Sequence, residues 1–302
     1  MFSKLRPLLF KVDPEKAHTL AIKSLKFNLI PNVFDENKND SIFQTKIFGK
    51  DLDNPIGMAA GFDKNAEVYN ALFKLGFGFV EVGTITPLKQ YGNPKPRVFR
   101  LVEDEALINR LGFNNHGAEI VKDRIKRNKK LGLLGINIGP NKDSSDRLND
   151  YLIGLKTFYD DADYITINIS SPNTENLRTF HEGNKLQDLL KSIMEEKKNL
   201  NSNIPIAVKV SPDITEDQVS QISEILLEHE IKAIIVSNTS EATRDKLLFL
   251  TALRYSSKLP FLSTDLTPEL LTVSFKLLFI SSLVNFTFFK FGKNLLLVLL
   301  LA

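Results

Sequence analysis

The sequence predicts an α/β fold: a (β/α)8 barrel of the TIM type, incomplete or disrupted at strands 7–8, with a helical extension at its amino end. Three observations predict it. Six short strand-like runs alternate with helix-like stretches, the order that produces right-handed parallel crossovers. Each run delivers Gly, Asn, Ser, Thr or Lys at its carboxyl end, where parallel α/β folds gather their reacting groups. The pattern then stops, all at once, after Arg244-Asp245-Lys246.

The first forty residues read separately. Leu5, Leu8, Leu9, Phe10, Ala17, Leu20, Ala21, Ile22, Leu25, Phe27, Leu29 and Ile30 alternate with Lys4, Arg6, Lys11, Lys16, Lys23 and Lys26, as in one or two short amphipathic helices. No uninterrupted apolar run here approaches a membrane span. A signal peptide requires a longer apolar centre and a small-residue cleavage site, and acids such as Asp13 and Glu15 are unusual in a mitochondrial leader.

Residues 41–246 carry the barrel pattern. Pro55-Ile56-Gly57-Met58-Ala59-Ala60 is the first strand and runs into Gly61-Phe62-Asp63-Lys64-Asn65, where small residues admit a ligand close to the backbone and Lys64 brings a cation. Gly78-Phe79-Val80-Glu81-Val82 leads into Gly83-Thr84-Ile85-Thr86-Pro87. Leu134-Gly135-Ile136 ends at Asn137-Ile138-Gly139, and Asp163-Tyr164-Ile165-Thr166-Ile167 ends at Asn168-Ile169-Ser170-Ser171-Pro172-Asn173-Thr174. Ile206-Ala207-Val208 ends at Lys209, and Ala233-Ile234-Ile235-Val236 ends at Ser237-Asn238-Thr239. Helix-like stretches at 66–75, 115–130, 184–199 and 215–229 lie between them.

The serine loop packs the most chemistry into the fewest residues. Ser171 is a candidate base, Pro172 fixes a backbone dihedral beside it, and the asparagines suit a planar, amide-rich ligand. Taken alone, the loop reads equally as an ordinary Ser/Pro/Asn turn. Lys209 reads either as a buried cation or as a lysine snorkelling to the rim, and Asn137 either as a ligand or as a turn former before Gly139.

Four motifs together carry a family resemblance: Ala59-Ala60-Gly61-Phe62-Asp63-Lys64, Gly92-Asn93-Pro94-Lys95-Pro96-Arg97, Asn109-Arg110-Leu111-Gly112-Phe113-Asn114-Asn115, and the serine loop. In order and spacing the chain resembles class 2, quinone-reducing dihydroorotate dehydrogenase, over roughly residues 1–246. Class 1 relatives use cysteine as the base, so a serine in a chain without cysteine points to class 2.

The resemblance implies oxidation of (S)-dihydroorotate to orotate in pyrimidine synthesis, with FMN as hydride acceptor and ubiquinone or menaquinone as final acceptor. It implies Ser171 as catalytic base, and Lys64, Asn109, Arg110, Leu111, Gly112, Phe113, Asn168, Asn173, Asn238 and Thr239 around the substrate. Ala60, Gly61, Phe62, Asp63, Lys64, Thr84, Asn137, Asn168, Lys209 and Ser237 would contact FMN. His18 and Arg100 match positions near the quinone, although His18 also reads as a surface histidine on a helical pair covering the barrel. Phe113 and Thr174 would shape a water route from the serine. The further expectations are a monomer lying peripherally on the cytoplasmic face of a bacterial cell membrane.

Composition bounds the alternatives. A length of 302 residues suits one barrel with an appended helical segment. A net charge of +3 gives no argument for nucleic acid, and Lys126-Arg127-Asn128-Lys129-Lys130 reads as a solvated helix end. The absence of cysteine excludes disulfides and thiolate catalysis. His18, His116, His181 and His229 show no ligand spacing, so no metal is expected; His116 reads as a residue behind the site.

Residues 247–302 depart from the family. It has a glycine-rich loop and paired glycines there to grip the FMN phosphate, whereas this chain turns Leu/Phe/Ser/Thr/Lys-rich and has Gly292 as its only glycine after Gly183. The expectation is a replaced segment, such as a shifted reading frame. The alternative is a genuine apolar tail, in which Leu270 to Phe289 approaches the roughly 20 residues a membrane helix needs, weakened by Lys276, Asn285 and several hydroxyl residues.

Overall fold

A computed structural model describes residues 6–7, 10–29, 41–102, 104–174, 177–241, 285–291 and 294–300. Helix α1 (Pro14–Lys26) forms the extension. Asp13 caps it by accepting from the Lys16 amide at 2.9 Å, Pro14 opens the first turn, and Lys23 and Lys26 close the last. Ile22 and Leu25 are buried, while Leu20, Phe27 and Leu29 are each more than half exposed.

The hairpin β1 (Thr45–Ile47) and β2 (Lys50–Leu52) precedes the main sheet. β3 (Gly57–Met58), α2 (Tyr69–Lys74) and β4 (Phe79–Ile85) begin the barrel, followed by a second antiparallel hairpin of β5 (Val98–Leu101) and β6 (Ala106–Asn109). The alternation then runs α3 (Ala118–Arg127), β7 (Leu133–Ile138), α4 (Arg147–Phe158), β8 (Tyr164–Asn168), α5 (Gly183–Asn199), β9 (Ile206–Val210), α6 (Glu216–Glu228) and β10 (Ala233–Val236). The neighbours β3-β4-β7-β8-β9-β10 are all parallel, and these are the six expected strands.

The departure after residue 246 has a structural counterpart. Among the described residues two further strands, β11 (Asn285–Phe291) and β12 (Asn294–Leu300), add to β10 as an antiparallel hairpin. β12 approaches β3, so the sheet curls round toward its own first edge. The barrel is thus regular through six strands and disrupted at the seventh and eighth. Of the stretch from Leu270 to Phe289, only the last five residues fall among the described ones, and they lie in β11. Among the described residues no helix is long and apolar enough to cross a membrane.

Strand alternation divides the core in two. Outward positions such as Val80, Val82, Leu134, Ile136, Ile165, Ile167, Ile206 and Val208 pack under the helices against Leu72, Val121, Leu155, Phe158, Leu189, Ile193 and Ile222. Inward positions Phe79, Leu133, Tyr164, Ala207, Ala233 and Ile235 fill the lower barrel together with Ile47 and Leu52 of the first hairpin. Phe48 lies against Tyr164 with ring centroids 5.2 Å apart. This apolar plug closes the amino end and leaves the carboxyl end for polar groups.

Gly135 is the residue that seats the plug: a Cβ built there would stand 2.1 Å from the Tyr164 ring. Gly135→Ala should therefore overpack the barrel, costing about 1–3 kcal/mol. Thermal unfolding followed by circular dichroism should show Tm lowered by roughly 2–10 °C, and an unchanged Tm would show that Tyr164 moves aside freely.

Candidate active site

The six parallel strands point their carboxyl ends to one rim, so the polar residues read from separate stretches of sequence meet. Asn168, at the end of β8, ties them together. Its Nδ2 donates to Thr84 Oγ1 at 2.8 Å and to Asn137 Oδ1 at 3.2 Å, and its Oδ1 accepts from Ser170 Oγ at 2.7 Å and from the Ser170 amide at 3.1 Å. Thr84 Oγ1 donates to Asn137 Oδ1 at 2.6 Å, and Asn238 Nδ2 donates to Ser170 Oγ at 3.0 Å. Four strand ends, those of β4, β7, β8 and β10, are joined in one largely buried network. Such networks hold a unique geometry when every member is satisfied.

Ser171 follows directly, buried, with its Oγ accepting from the Asn173 amide at 3.2 Å. Thr174 is buried on the same loop, and its Oγ1 has no hydrogen-bond partner among the described residues. The loop is braced from behind. Arg178 donates to the Ser170 carbonyl at 3.3 Å, to Asp213 at 3.1 Å and to Glu241 at 3.3 Å, linking the β8, β9 and β10 loops.

Lys64 stands on the loop after β3, partly buried, with its ammonium donating to the Gly61 carbonyl. Burial pushes its pKa down to about 8, with Glu15 and Asp63 pulling the other way and Arg97 adding to the fall. Gly61 has φ +117°, a conformation L side chains rarely adopt, and no atom lies within 4 Å of where its Cβ would be. Backbone is therefore exposed to open space at the rim, beside Ala60. The Phe62 and Asp63 side chains are engaged elsewhere. Phe62 meets the His18 ring edge-on at 5.3 Å, and the Asp63 carboxylate accepts from the amides of Asn65, Glu67 and Val68, so what this loop offers a ligand is Ala60, Gly61 and Lys64.

Lys209, at the end of β9, is buried and pairs in register with Asn168. Burial pushes its ammonium down, and Glu81 pulls it back up. At 7% exposure it is a buried cation and not a lysine snorkelling to solvent at the rim.

The segment that leaves β6 at Asn109 and runs to Phe113 is held by hydrogen bonds to its backbone. Gln90 donates to the Gly112 carbonyl at 2.9 Å, and Asn93 donates to the Arg110 carbonyl at 2.9 Å. The Leu111 amide donates weakly to Asn109 Oδ1 at 3.5 Å, and Phe113 is held at φ +51° with its carbonyl accepting from Asn115 at 2.8 Å. Arg110 turns away, its guanidinium donating to the Pro96 carbonyl at 2.9 Å. On the β10 loop, the Thr239 amide donates to Asn238 Oδ1 at 2.8 Å and Ser237 donates to the Asn238 carbonyl at 3.2 Å. His116 follows the Asn109–Asn115 segment, its amide donating to Asn65 Oδ1 on the loop after β3 at 2.8 Å.

His18 and Arg100 lie at the seam between extension and barrel. His18 Nε2 contacts the Phe62 carbonyl at 2.7 Å, two residues before Lys64; burial first, then the Lys64 charge, push the imidazole pKa down. Arg100 donates to the Val12 carbonyl at 2.7 Å and lies 4.9 Å over the Phe10 ring. Glu15 of α1 pairs with Arg97 at 2.6 Å, which also donates to the Tyr91 and Asn93 carbonyls. The extension thus rests directly on the loops that carry Lys64 and the Asn109 segment.

One residue that sequence reading passed over proves central. Glu81, read only as part of a strand, is buried with Oε1 accepting from Asn137 Nδ2 and Oε2 from Thr166 Oγ1, both at 2.8 Å. The signal was present: period-2 alternation in a fully buried strand puts Glu81 on the inward face with Phe79, and a carboxylate there requires partners.

Six parallel strands whose carboxyl ends carry an amide-lined rim and two lysines define the class of barrel enzymes, in which the protein orients a ligand and sets its charge environment. The dihydroorotate dehydrogenase family model matches residues 42–250. Proteins named dihydroorotate dehydrogenase (quinone) are similar: that of Agrobacterium fabrum is 47% identical over 245 residues, 80% of this chain and 67% of the relative, and that of Rhizobium rhizogenes is 48% identical over 243 residues, 79% and 66%. Two crystal structures of the Eimeria tenella enzyme also match at 37% identity. The complex with ferulenol has a TM-score of 0.71 and covers 77% of this chain and 69% of that one; the ligand-free form has 0.73, with 78% and 72%. This chain belongs to the dihydroorotate dehydrogenase family, and its match spans about two thirds of the length of those curated relatives.

Enzymes of this family use FMN. The rim described above has the chemistry to take the ring of that cofactor: the open face at Gly61 leaves room, Thr84, Asn137 and Asn168 would offer polar groups, and Lys209 would offer a cation. The family's glycine-rich phosphate grip falls in the stretch that here is 247–302, where Gly292 is the sole glycine and only 285–291 and 294–300 are among the described residues.

Proposed function

We propose that this chain oxidises (S)-dihydroorotate to orotate in de novo pyrimidine (UMP) biosynthesis, with FMN as hydride acceptor and a quinone as the final electron acceptor. The observation that carries the reading is the convergence on one rim of Lys64, Lys209 and a hydrogen-bonded network that links the Asn168–Asn173 loop and Asn238 to Thr84 and Asn137, four strand ends in all. Lys64 pairs with the substrate carboxylate. Asn109, Asn173, Asn238 and Thr239 hold the pyrimidine amides, with the Arg110–Phe113 backbone closing one side. Ser171 Oγ takes the C5 proton while the hydride leaves C6. An unassisted hydroxyl is a weak base, so the proton must pass on at once; the unpartnered Thr174 hydroxyl on the same loop supports a water relay there. FMN, when bound, supplies the hydride-accepting chemistry.

His18 and Arg100 border the quinone site at the seam with α1, and ubiquinone or menaquinone reaches it from the membrane. The exposed Leu20, Phe27 and Leu29 support a peripheral attachment of the extension to the cytoplasmic face of the cell membrane. The protein acts as a monomer in this reading.

The test is anaerobic. Purified protein should carry yellow flavin absorbance, and dihydroorotate should bleach it; bleaching by dihydrouracil instead would assign another pyrimidine. A second reading is a catalytically impaired remnant unable to hold FMN. It is favoured by one observation, that the family match stops at residue 250 in a chain whose only glycine after Gly183 is Gly292. Colourless protein that cannot be reconstituted with FMN would support it, as would a Gly-Val-Gly-Gly-like strand in another frame of the coding DNA.

A further inference from the structure

Glu81 has no role in the chemistry just described, yet it is the carboxylate at the centre of the barrel. It is 3% exposed. Both its oxygens are used, one by Asn137 and one by Thr166, and Asn137 in turn orients Thr84 and Asn168. Three of the polar side chains on the flavin side therefore trace back to one carboxylate. Tyr164, in register with Glu81 across the side-chain-free Gly135 of β7, has its hydroxyl pushed well above the usual phenol range by burial and then by the Glu81 charge. Lys209 shares the inward face of the barrel, two residues on from Ala207 as Glu81 is from Phe79. Both side chains are buried there, and the Glu81 charge pulls the Lys209 ammonium back up.

We infer that Glu81 is a positioning residue for the flavin: from inside the barrel it fixes the Asn137 amide and offsets the positive charge that Lys209 presents to the ring. The physical argument is that two buried charges of opposite sign are held more cheaply than either alone, and removing one leaves the other uncompensated. A ring reduced to an anion is stabilised by a nearby cation; a carboxylate behind that cation tempers the effect. The inference rests on the FMN reading above, and its test separates the two.

Glu81→Gln is a clean probe. Glutamine keeps an acceptor for Asn137 Nδ2 and presents a donor to Thr166, whose hydroxyl can accept as well as donate, so the main change at Glu81, here and toward the Tyr164 hydroxyl, is loss of the charge. In the full chain loaded with FMN, the midpoint potential of the flavin should rise in the variant by at least a tenfold shift in the reduction equilibrium, about 30 mV for a two-electron couple. An unchanged or lowered potential would overturn the inference. Without added FMN, thermal melts of the wild type, Glu81→Gln, Lys209→Met and the double variant form a cycle. Glu81→Gln alone should lower Tm by roughly 3 °C or more, and the double variant should recover most of it. Additive losses would overturn the pairing. If Glu81→Gln does not fold, the double variant must; failure of both is likewise fatal. A wild-type chain that takes up no FMN would sink the cofactor reading alone, while the melts still decide whether Glu81 and Lys209 are partners.

Discussion

Substituting Ser171 with alanine should slow flavin reduction by dihydroorotate roughly 10²–10⁴-fold, the range over which a positioned proton acceptor contributes to catalysis. FMN affinity should stay within a few-fold of wild type. The separation follows from the geometry. Ser171 Oγ makes one side-chain contact, with the Asn173 amide, whereas the rim network runs through the adjacent Ser170 and Asn168. Removing the hydroxyl deletes the base without disturbing the anchors of the loop, which are the Arg178 bond to the Ser170 carbonyl and the bond from Tyr151 to the Asn168 carbonyl at 2.7 Å. Single-turnover absorbance at the flavin band, followed anaerobically, reads the rate; fluorescence of released flavin reads the affinity. A variant reducing its flavin at the wild-type rate would remove Ser171 from the role of base. A variant that lost flavin as well would show the hydroxyl to be part of the scaffold.

The contrast between Ser171 and Glu81 shows where the sequence is legible. Strand ends announce themselves, because Gly, Asn, Ser and Lys interrupt apolar runs, and all six parallel strands were read from that punctuation. Residues inside a strand carry no such mark, and Glu81 was passed over although its charge stood in a buried run. Helix limits shifted for reasons that local pattern does not contain. The stretch 66–75 shortens to Tyr69–Lys74 because the Asp63 carboxylate occupies the amides of residues 65, 67 and 68 and holds them in a turn. The stretch 115–130 begins only at Ala118, since Asn115 is drawn to Thr86 and Phe113, and Gly117 stands at φ +87°. The two hairpins, β1–β2 and β5–β6, were not anticipated. Their strands of three or four residues are too short for periodicity to speak, and their positions depend on the barrel mouth and on α1, which are long-range partners. The departure at residue 247 was legible as a loss of glycines, but its replacement by an antiparallel hairpin was not, since an apolar run of that length suits a strand or a helix equally.

Replacing Lys64 with methionine should do two opposite things, and their coincidence is the diagnostic. The ammonium is needed for the substrate carboxylate, so KM for dihydroorotate should rise roughly 10- to 100-fold, as when a charged hydrogen-bond partner is removed. The ligand-free protein should nonetheless become more stable. Burial lowers the Lys64 pKa from 10.5 to about 8. Between those values the folded chain binds fewer protons than the unfolded one, so stability rises with pH through that window, and below about 8 the buried cation costs the fold ~3 kcal/mol. Methionine removes that cost at neutral pH while filling similar volume, so Tm should increase. The same shift predicts the pH profile of the wild type. Dihydroorotate affinity should be level below pH about 8, then fall tenfold per unit as the free lysine deprotonates, until the higher pKa imposed by the bound carboxylate is reached. In Lys64→Met the profile should be flat across that range. A wild-type affinity that stayed level to pH 10, or a variant that bound substrate normally, would place the carboxylate elsewhere on the rim. A methionine variant less stable than wild type would mean that the lysine is held by partners strong enough to outweigh its burial.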